Sequence, residues 1–173
     1  VIEEEIHRIN EIVDQFLRFA KPAPPLLKKA DVISIFEETL QLLRPQIEKQ
    51  GIVIQKEFQP LPPILMDREQ MKQVILNLLL NAVQAMPKGG NLVLKGHIPE
   101  GDRWIRLSIQ DSGVGISCED INKLFDPFFS TKEGGMGLGL SIAHRIIDQH
   151  HGKIEVESTP GEGTLFTVWL PVG

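Results

Sequence analysis

Apolar residues recur over positions 1–20 with a spacing that alternates between four and three. They are Ile2, Ile6, Ile9, Val13, Phe16 and Ala20. This heptad spacing predicts a helix with one apolar seam, of the kind that packs in a coiled coil or a helical bundle. Ile12 and Phe19 widen the seam, which favours a multi-helix bundle with a partner helix from outside this chain. The alternative is an amphipathic helix folded back on the rest of the chain.

The seam ends at a proline-rich segment, where Pro22, Pro24 and Pro25 follow one another closely. Proline cannot continue a helix, and it stiffens an extended chain. We therefore predict a hinge linker over residues 22–30. It separates a partial helical domain at 1–21 from a second domain at 31–173.

Beyond this linker the apolar spacing alternates between helical and strand periods. Helices are predicted from an Asp31 cap to near Gly51, from an Asp67 cap through Met86, and over 138–150 with Gly152 as the cap. Strands are predicted over 52–58, 91–98, 104–110, 153–158 and 164–170, and the last four form two hairpins. The pattern predicts an α+β fold, a two-layer α/β sandwich with helices on one sheet face, preceded by one long N-terminal helix.

Composition narrows the functional classes. The net charge of −5 gives no sign of a nucleic-acid partner. The single cysteine, Cys118, excludes an internal disulfide framework and a cysteine zinc site, and it fits a reducing compartment. No apolar run approaches the roughly 20 residues of a membrane span. We expect a soluble, cytoplasmic fragment of a longer protein, because the chain starts within the heptad pattern. That longer protein is either soluble or membrane-bound, and in the second case this fragment is its cytoplasmic part.

Two amides, Asn77 and Asn81, lie four residues apart on a predicted helix that is otherwise strongly apolar, and Gln84 continues the polar row. At this spacing the two asparagines project from one helix face. Amide oxygens suit a Mg²⁺ ion that keeps most of its charge for phosphates. The alternative is that both amides bond to buried backbone groups, which is the commoner role of an isolated pair.

Asp111 ends a strand with alternating apolar residues, and Gly113 and Gly115 follow it directly. A carboxylate in this position could accept a hydrogen bond from an exocyclic amine, which would favour adenine over guanine. Taken alone, an Asp-Ser-Gly sequence is a common turn.

A third run, Gly134, Gly135, Gly137 and Gly139, opens a predicted helix. Glycines there let a ligand approach the backbone, and a helix N-terminus offers free N–H groups to phosphates. Lys132, shortly before the run, could reach a phosphate. Aromatic residues around a proline at 124–129 predict a hydrophobic anchor that pins one end of a lid.

These runs resemble the sequence boxes of sensor histidine kinases of two-component systems, within the wider group of gyrase, Hsp90, histidine kinase and MutL ATPases. Residues 77–85 resemble the N box, 111–115 the first glycine box, 125–128 the F box, and 135–139 the second glycine box. The resemblance covers the chain from about 31 to 171. The short segment at 129–136 is most similar to the nitrogen-regulation-type kinases.

The resemblance implies the Bergerat ATP-binding fold, with ATP and Mg²⁺ as cofactors and residues 129–136 as the ATP lid. Asn81 would hold Mg²⁺ with Asn77 beside it, and Asp111 would hold the adenine amino group. The implied catalytic residues are Asn77, Asn81 and Lys132. The implied cofactor-binding residues are Asn81, Asp111, Gly113, Gly115, Phe125, Phe128, Ser130, Thr131, Lys132, Gly135, Gly137, Leu138 and Gly139.

The resemblance also implies the reaction and its partners. Residues 1–21 are similar to the second helix of a dimerisation and phosphotransfer domain, and the γ-phosphate of ATP would pass to a histidine of that domain. A response regulator receiver domain would take the signal onward, and a homodimer is compatible with the apolar seam. The acceptor is expected to be absent from this chain, because Arg8 and Ile9, rather than an acidic residue, follow His7.

Other functions of the same fold remain open at this stage. Gyrase-type hydrolases carry a glutamate at the position of Asn77, and an amide cannot act as a general base, which disfavours simple ATP hydrolysis. An anti-sigma-type serine kinase and a non-catalytic, ATP-gated binding module are the alternatives. His144, His150 and His151 are predicted to be ordinary residues at a helix end.

Overall fold

The computed structural model describes residues 2–21, 23–132 and 136–173, apart from the side chains of Gln15 and Arg18. Its helices are α1 (Ile2–Ala20), α2 (Val32–Gln50), α3 (Arg68–Ala85), α4 (Cys118–Ile121) and α5 (Gly139–Gln149). Its strands are β1 (Lys28–Ala30), β2 (Ile52–Phe58), β3 (Ile64–Met66), β4 (Gly90–His97), β5 (Trp104–Asp111), β6 (Lys153–Thr159) and β7 (Gly163–Pro171). Every predicted helix and strand is present, and three short elements, β1, β3 and α4, were not predicted.

Five of the strands form one mixed sheet in the order β2–β4–β5–β7–β6. The neighbours from β4 to β6 are antiparallel, as the two hairpins require, whereas β2 runs parallel to β4. The parallel pair needs a long crossover connection, which contains α3. Strands β1 and β3 form a separate antiparallel pair. The last three residues of the predicted linker are therefore tied to the segment that leads into α3.

Helices α2, α3 and α5 cover one face of this sheet. Their apolar side chains meet alternate residues of the central strands, such as Leu92 and Leu94 in β4 and Ile105 in β5, all three fully buried. Each such side chain stabilises the fold by about 1.5–3 kcal/mol relative to exposure. The two-layer α+β prediction is confirmed.

Side-chain caps fix the starts of the two central helices. Asp31 accepts a hydrogen bond from the Ile33 N–H at 2.9 Å, and Asp67 accepts one from the Gln70 N–H at 3.1 Å. Both bonds satisfy donors that have no partner within the helix, so the predicted boundaries are explained locally. Gly51 ends α2 in the left-handed conformation, with φ 72°.

The end of α5 differs from the prediction. His150, not Gly152, caps the helix, and the left-handed residue is His151 at φ 57°. Gly152 is needed for another reason, because a Cβ atom there would lie 2.4 Å from the backbone oxygen of Trp169. The glycine therefore permits close packing of the helix end on β7 rather than a turn.

His150 is buried and joins α5 to α3, which its prediction as an ordinary helix-end residue did not include. Its Nδ1 lies 2.7 Å from the Ile146 oxygen, and its Nε2 accepts a hydrogen bond from the Asp67 N–H at 2.9 Å. A neutral ring with its proton on Nδ1 satisfies both bonds. The C-terminal end of α5 is thus attached to the N-terminal cap of α3.

The apolar seam of α1 faces away from the sheet domain. Ile2, Ile6 and Ile9 are 76%, 53% and 55% exposed. Among the α1 side chains that the structure describes, Phe19 packs against the core, and Arg145 of α5 both donates to its backbone oxygen and lies 4.6 Å from its ring centre. The seam of α1 is therefore exposed over most of its length and contacts the domain only near its C-terminal end, and the bundle partner predicted for it stays a prediction. No described helix has the length and apolar character to cross a bilayer.

Candidate functional site

A cavity of about 210 Å³ opens between the middle of α3, the segment that follows Leu124 and the start of α5. It is lined by most of the residues that the sequence assigned to the site: Asn77, Asn81, Ser130, Thr131, Lys132, Gly137, Leu138 and Gly139. Gln84, to which the sequence analysis gave no role, is a further polar lining residue. The cavity thus brings together segments that are far apart in sequence.

Helix α3 supplies the amides because its opposite face is committed to the core, where Val74, Leu78 and Ala82 are buried. The amide nitrogen of Asn77 donates to the Gly139 oxygen at 2.9 Å. This bond ties the middle of α3 to the first residue of α5. For Asn77, a hydrogen bond to backbone was the alternative that the sequence left open.

Asn81 and Gln84 hold a common partner, the ammonium group of Lys132. The Lys132 Nζ donates to Asn81 Oδ1 at 2.8 Å and to Gln84 Oε1 at 2.5 Å. Although Lys132 as a residue is exposed, partial removal of its ammonium from water lowers its pKa, while the charge of Asp111 acts to raise that pKa. Two neutral oxygens of α3 therefore converge on one cation at the cavity wall.

Asp111 is buried at the end of β5, with 5% of its surface exposed. Its Oδ1 accepts a hydrogen bond from the Gly113 N–H at 2.8 Å. Burial raises the pKa of this carboxyl group, and the backbone bonds from Gly113 and Thr164 and the charge of Lys132 oppose the rise. Asp111 lies outside the described lining of the cavity but near enough to Lys132 for their charges to interact. A buried carboxylate with a perturbed pKa beside a cavity is typical of a functional site.

The glycine after Asp111 is required by the protein's own packing. A Cβ atom at Gly113 would lie 2.4 Å from the Ala85 oxygen at the end of α3. The turn that carries Asp111 can therefore approach α3 only if this residue lacks a side chain. Gly115 follows in the same turn with φ 70°.

The two ends of the predicted lid are joined. The Phe128 N–H donates to the Gly137 oxygen at 3.0 Å, and Gly137 has φ 70°. A Cβ atom at Gly137 would lie 2.3 Å from the Phe129 oxygen, so only glycine allows this approach. Gly135, which the sequence assigned to the cofactor, lies outside the described residues, as do the neighbouring positions 133 and 134.

The start of α5 reaches the cavity without a side-chain cap. Leu138 is the capping residue, and its side chain makes no hydrogen bond to the first turn of the helix. The first N–H groups of α5 therefore keep their capacity to bind a ligand. Such a helix start favours anions, phosphate in particular.

The two predicted aromatic residues lie beside the cavity rather than in its described lining. The ring of Phe125 is 5.3 Å from that of His144, and the ring of Phe128 is 6.0 Å from that of Phe19. Both contacts lie at the first end of the lid segment. They fit the anchoring role that the sequence suggested for this aromatic run.

Residues 66–173 match the family of histidine kinase-, DNA gyrase B- and HSP90-like ATPases. This match covers more than half of the chain, so the chain belongs to that family.

Individual proteins extend the similarity to the whole chain. Sporulation kinase E of Bacillus subtilis (strain 168) is 38% identical over 99% of this chain and 23% of its own length. Full-length ShkA in complex with AMPPNP has a TM-score of 0.83 at 27% identity, covering 97% of this chain and 36% of that one. Histidine kinase ThkA in complex with the response regulator TrrA has a TM-score of 0.82 at 30% identity, covering 99% and 49%.

The family resemblance inferred from the sequence boxes is thus confirmed. The chain spans between 23% and 40% of the length of eight curated relatives that it matches.

Proposed function

We propose that this chain is the ATP-binding catalytic domain of a sensor histidine kinase of the nitrogen-regulation-like type. The observation that carries the proposal is the cavity itself. It combines the amides of α3, the ammonium of Lys132 and the uncapped start of α5, and the buried carboxylate of Asp111 lies nearby. The amides are suited to a metal ion, the ammonium and the helix start to phosphate, and the carboxylate to the adenine amino group.

The residues fit ATP with Mg²⁺. Asp111 would accept a hydrogen bond from the adenine amine, and the helix start at Gly137 to Gly139 would bind the phosphates with Lys132. The side-chain oxygen of Asn81 already holds a cationic group, which is the property that a Mg²⁺ ligand needs. When bound, Mg²⁺ would neutralise phosphate charge, and Asn77 would fix the geometry through its bond to Gly139.

The proposed reaction transfers the γ-phosphate to an imidazole nitrogen of a histidine outside this chain. A bond forms between that nitrogen and the γ-phosphorus as the bond to the β-phosphate oxygen breaks, and ADP leaves. The domain's own residues contribute position and charge, which is most of what phosphoryl transfer requires. Asn77 cannot activate water as a glutamate would, so transfer is favoured over hydrolysis.

The remainder of the chain fits a role beside a phosphotransfer domain. We propose that residues 1–21 belong to the second helix of a dimerisation and phosphotransfer domain, that 22–30 form a hinge and that 31–173 form the catalytic domain. The exposed seam at Ile2, Ile6 and Ile9 supports a bundle partner and a homodimer. The similarity to ThkA, whose structure contains the response regulator TrrA, supports a receiver domain as the onward partner. We propose that this domain acts in the cytoplasm.

Incubation with γ-labelled ATP tests the proposal. We expect the fragment to bind AMPPNP with Mg²⁺ and to remain unlabelled, because its acceptor lies elsewhere. In the full-length protein we expect labelling at a histidine, and loss of that labelling in Asn81→Ala with the circular dichroism spectrum unchanged. Robust labelling of the fragment, or retained labelling in Asn81→Ala, would contradict the proposal. Steady phosphate release without labelled protein would indicate a gyrase-like hydrolase instead.

A further inference from the structure

Three polar side chains of α3 reach the cavity, and they divide between two partners. Asn77 uses its amide nitrogen to bind the Gly139 oxygen. Asn81 and Gln84, three positions apart and therefore on one helix face, both direct an oxygen to the Lys132 ammonium. The pair that converges on a cation is therefore Asn81 with Gln84, not Asn77 with Asn81.

We propose that Asn81 and Gln84 form one cation site, filled by the Lys132 ammonium in the nucleotide-free protein and by the divalent cation of the nucleotide after binding. Gln84 thereby becomes a determinant of metal-dependent nucleotide affinity. The inference rests on the proposed ATP function, since the cation arrives with the phosphates.

The chemistry of the pair suits this exchange. Amide oxygens are neutral, hard donors that bind an ammonium through hydrogen bonds and Mg²⁺ through coordination or through its water shell. Because they carry no charge, their affinity for either cation is moderate, and the ion is not trapped without its phosphates. A carboxylate at either position would hold the lysine as a salt bridge.

The two cations cannot share the site. An ammonium and a divalent ion bound to the same two oxygens repel each other, and they do so more strongly beside a protein than in bulk water. Entry of the metal therefore expels Lys132 from the amides. The released ammonium is then free to bind a phosphate oxygen.

The surroundings of Lys132 support this account. The Lys132 ammonium lies 2.8 Å from Asn81 Oδ1 and 2.5 Å from Gln84 Oε1, so both amide oxygens contact it directly. The backbone N–H of Lys132 donates to Ser130 Oγ at 3.1 Å, which holds the segment in a compact turn. The lysine thus forms part of the cavity wall opposite the amides of α3.

The affinity for ADP, measured by titration calorimetry with Mg²⁺ and with EDTA, tests the role of Gln84. We expect Gln84→Leu to reduce the gain in affinity that Mg²⁺ provides by about tenfold, the lower end of what losing a supporting group costs at a metal site. The EDTA affinity should not fall. Gln73→Leu is the matched control, because Gln73 lies on the same helix outside the described lining of this cavity.

The position of Lys132 is tested separately by NMR of its ζ-ammonium, assigned with Lys132→Arg. We expect a hydrogen-bonded signal in the nucleotide-free wild type that disappears in Gln84→Leu and shifts on addition of ADP with Mg²⁺. The inference would be overturned if Mg²⁺ increased the ADP affinity of Gln84→Leu as much as that of the wild type, or if the ammonium signal were unchanged in this variant. Failure of the wild type to bind ADP even with Mg²⁺ would instead reject the proposed function.

Discussion

Replacement of Asp111 by asparagine distinguishes the effect of this residue on the stability of the fold from its effect on ligand affinity. Asparagine has nearly the same shape, and its oxygen can accept the bond from the Gly113 N–H that Asp111 Oδ1 now accepts at 2.8 Å. What it lacks is the negative charge and the second acceptor. If that acceptor binds the adenine amine, the substitution removes a hydrogen bond to a charged group, worth about 1.5–3 kcal/mol. We therefore expect ADP to bind about 10- to 150-fold more weakly.

Whereas Asp111→Asn should weaken ADP binding, it should increase the stability of the folded protein. Burial raises the pKa of Asp111 above its ordinary value of 3.8, so the ionised carboxylate destabilises the folded state at higher pH. Asparagine has no such cost. The variant's free energy of unfolding should therefore exceed that of the wild type at pH 7, and the difference should shrink as the pH falls through the carboxyl pKa and Asp111 becomes protonated.

Calorimetric titrations with ADP and with IDP, which lacks the exocyclic amine, identify the atom involved. The wild type should prefer ADP, and Asp111→Asn should lose most of this preference, because the coupling between the carboxylate and the amine is gone. Asp102→Asn, in the exposed turn between β4 and β5, is the control and should change neither ligand. A folded Asp111→Asn variant that keeps the wild-type preference for ADP would refute the assignment of Asp111 to the base.

Two further substitutions test the links between α3 and α5. His150→Ala removes a buried ring and leaves the Asp67 N–H unpaired, so the free energy of unfolding in urea should fall by about 2–4 kcal/mol. The exposed His7→Ala is the control and should stay within about 0.5 kcal/mol. Asn77→Leu removes the bond to the Gly139 oxygen and should cost about 1 kcal/mol in the same assay, and an unchanged midpoint would mean that this bond contributes nothing to the helix contact.

The long elements could be predicted because their signals are local. Asp31 and Asp67 mark helix starts because their side chains bond to residues only two or three positions on. The alternating burial of β5 is likewise predicted by its own apolar residues. The three-residue strands β1 and β3 are too short to show a period, and each exists because of the other. The parallel pairing of β2 with β4 likewise depends on tertiary structure.

The candidate site shows the same division between local and distant information. Asn81 was assigned from the N box and Lys132 from its position in the predicted lid just before the glycine run, whereas the partners of each side chain depend on how α3 meets the lid. Gln84 lies within the N box and continues the polar row of α3, but no role was predicted for it, and its contact with Lys132 spans nearly fifty residues. His150 was missed because its partner, Asp67, lies on another helix.

The strand that carries Asp111 depends on residues that come last in the described chain. β5 pairs on one side with β4 and on the other with β7, where Asp111 lies opposite Thr164. All residues that line the cavity precede β7 in sequence. During synthesis from the N-terminus, a ribosome-bound chain can therefore display every pocket residue while β5 still has an open edge. If Asp111 binds the adenine amine, nucleotide would stabilise chains in which β7 has paired with β5 and would give little help to chains in which this pairing has not yet formed.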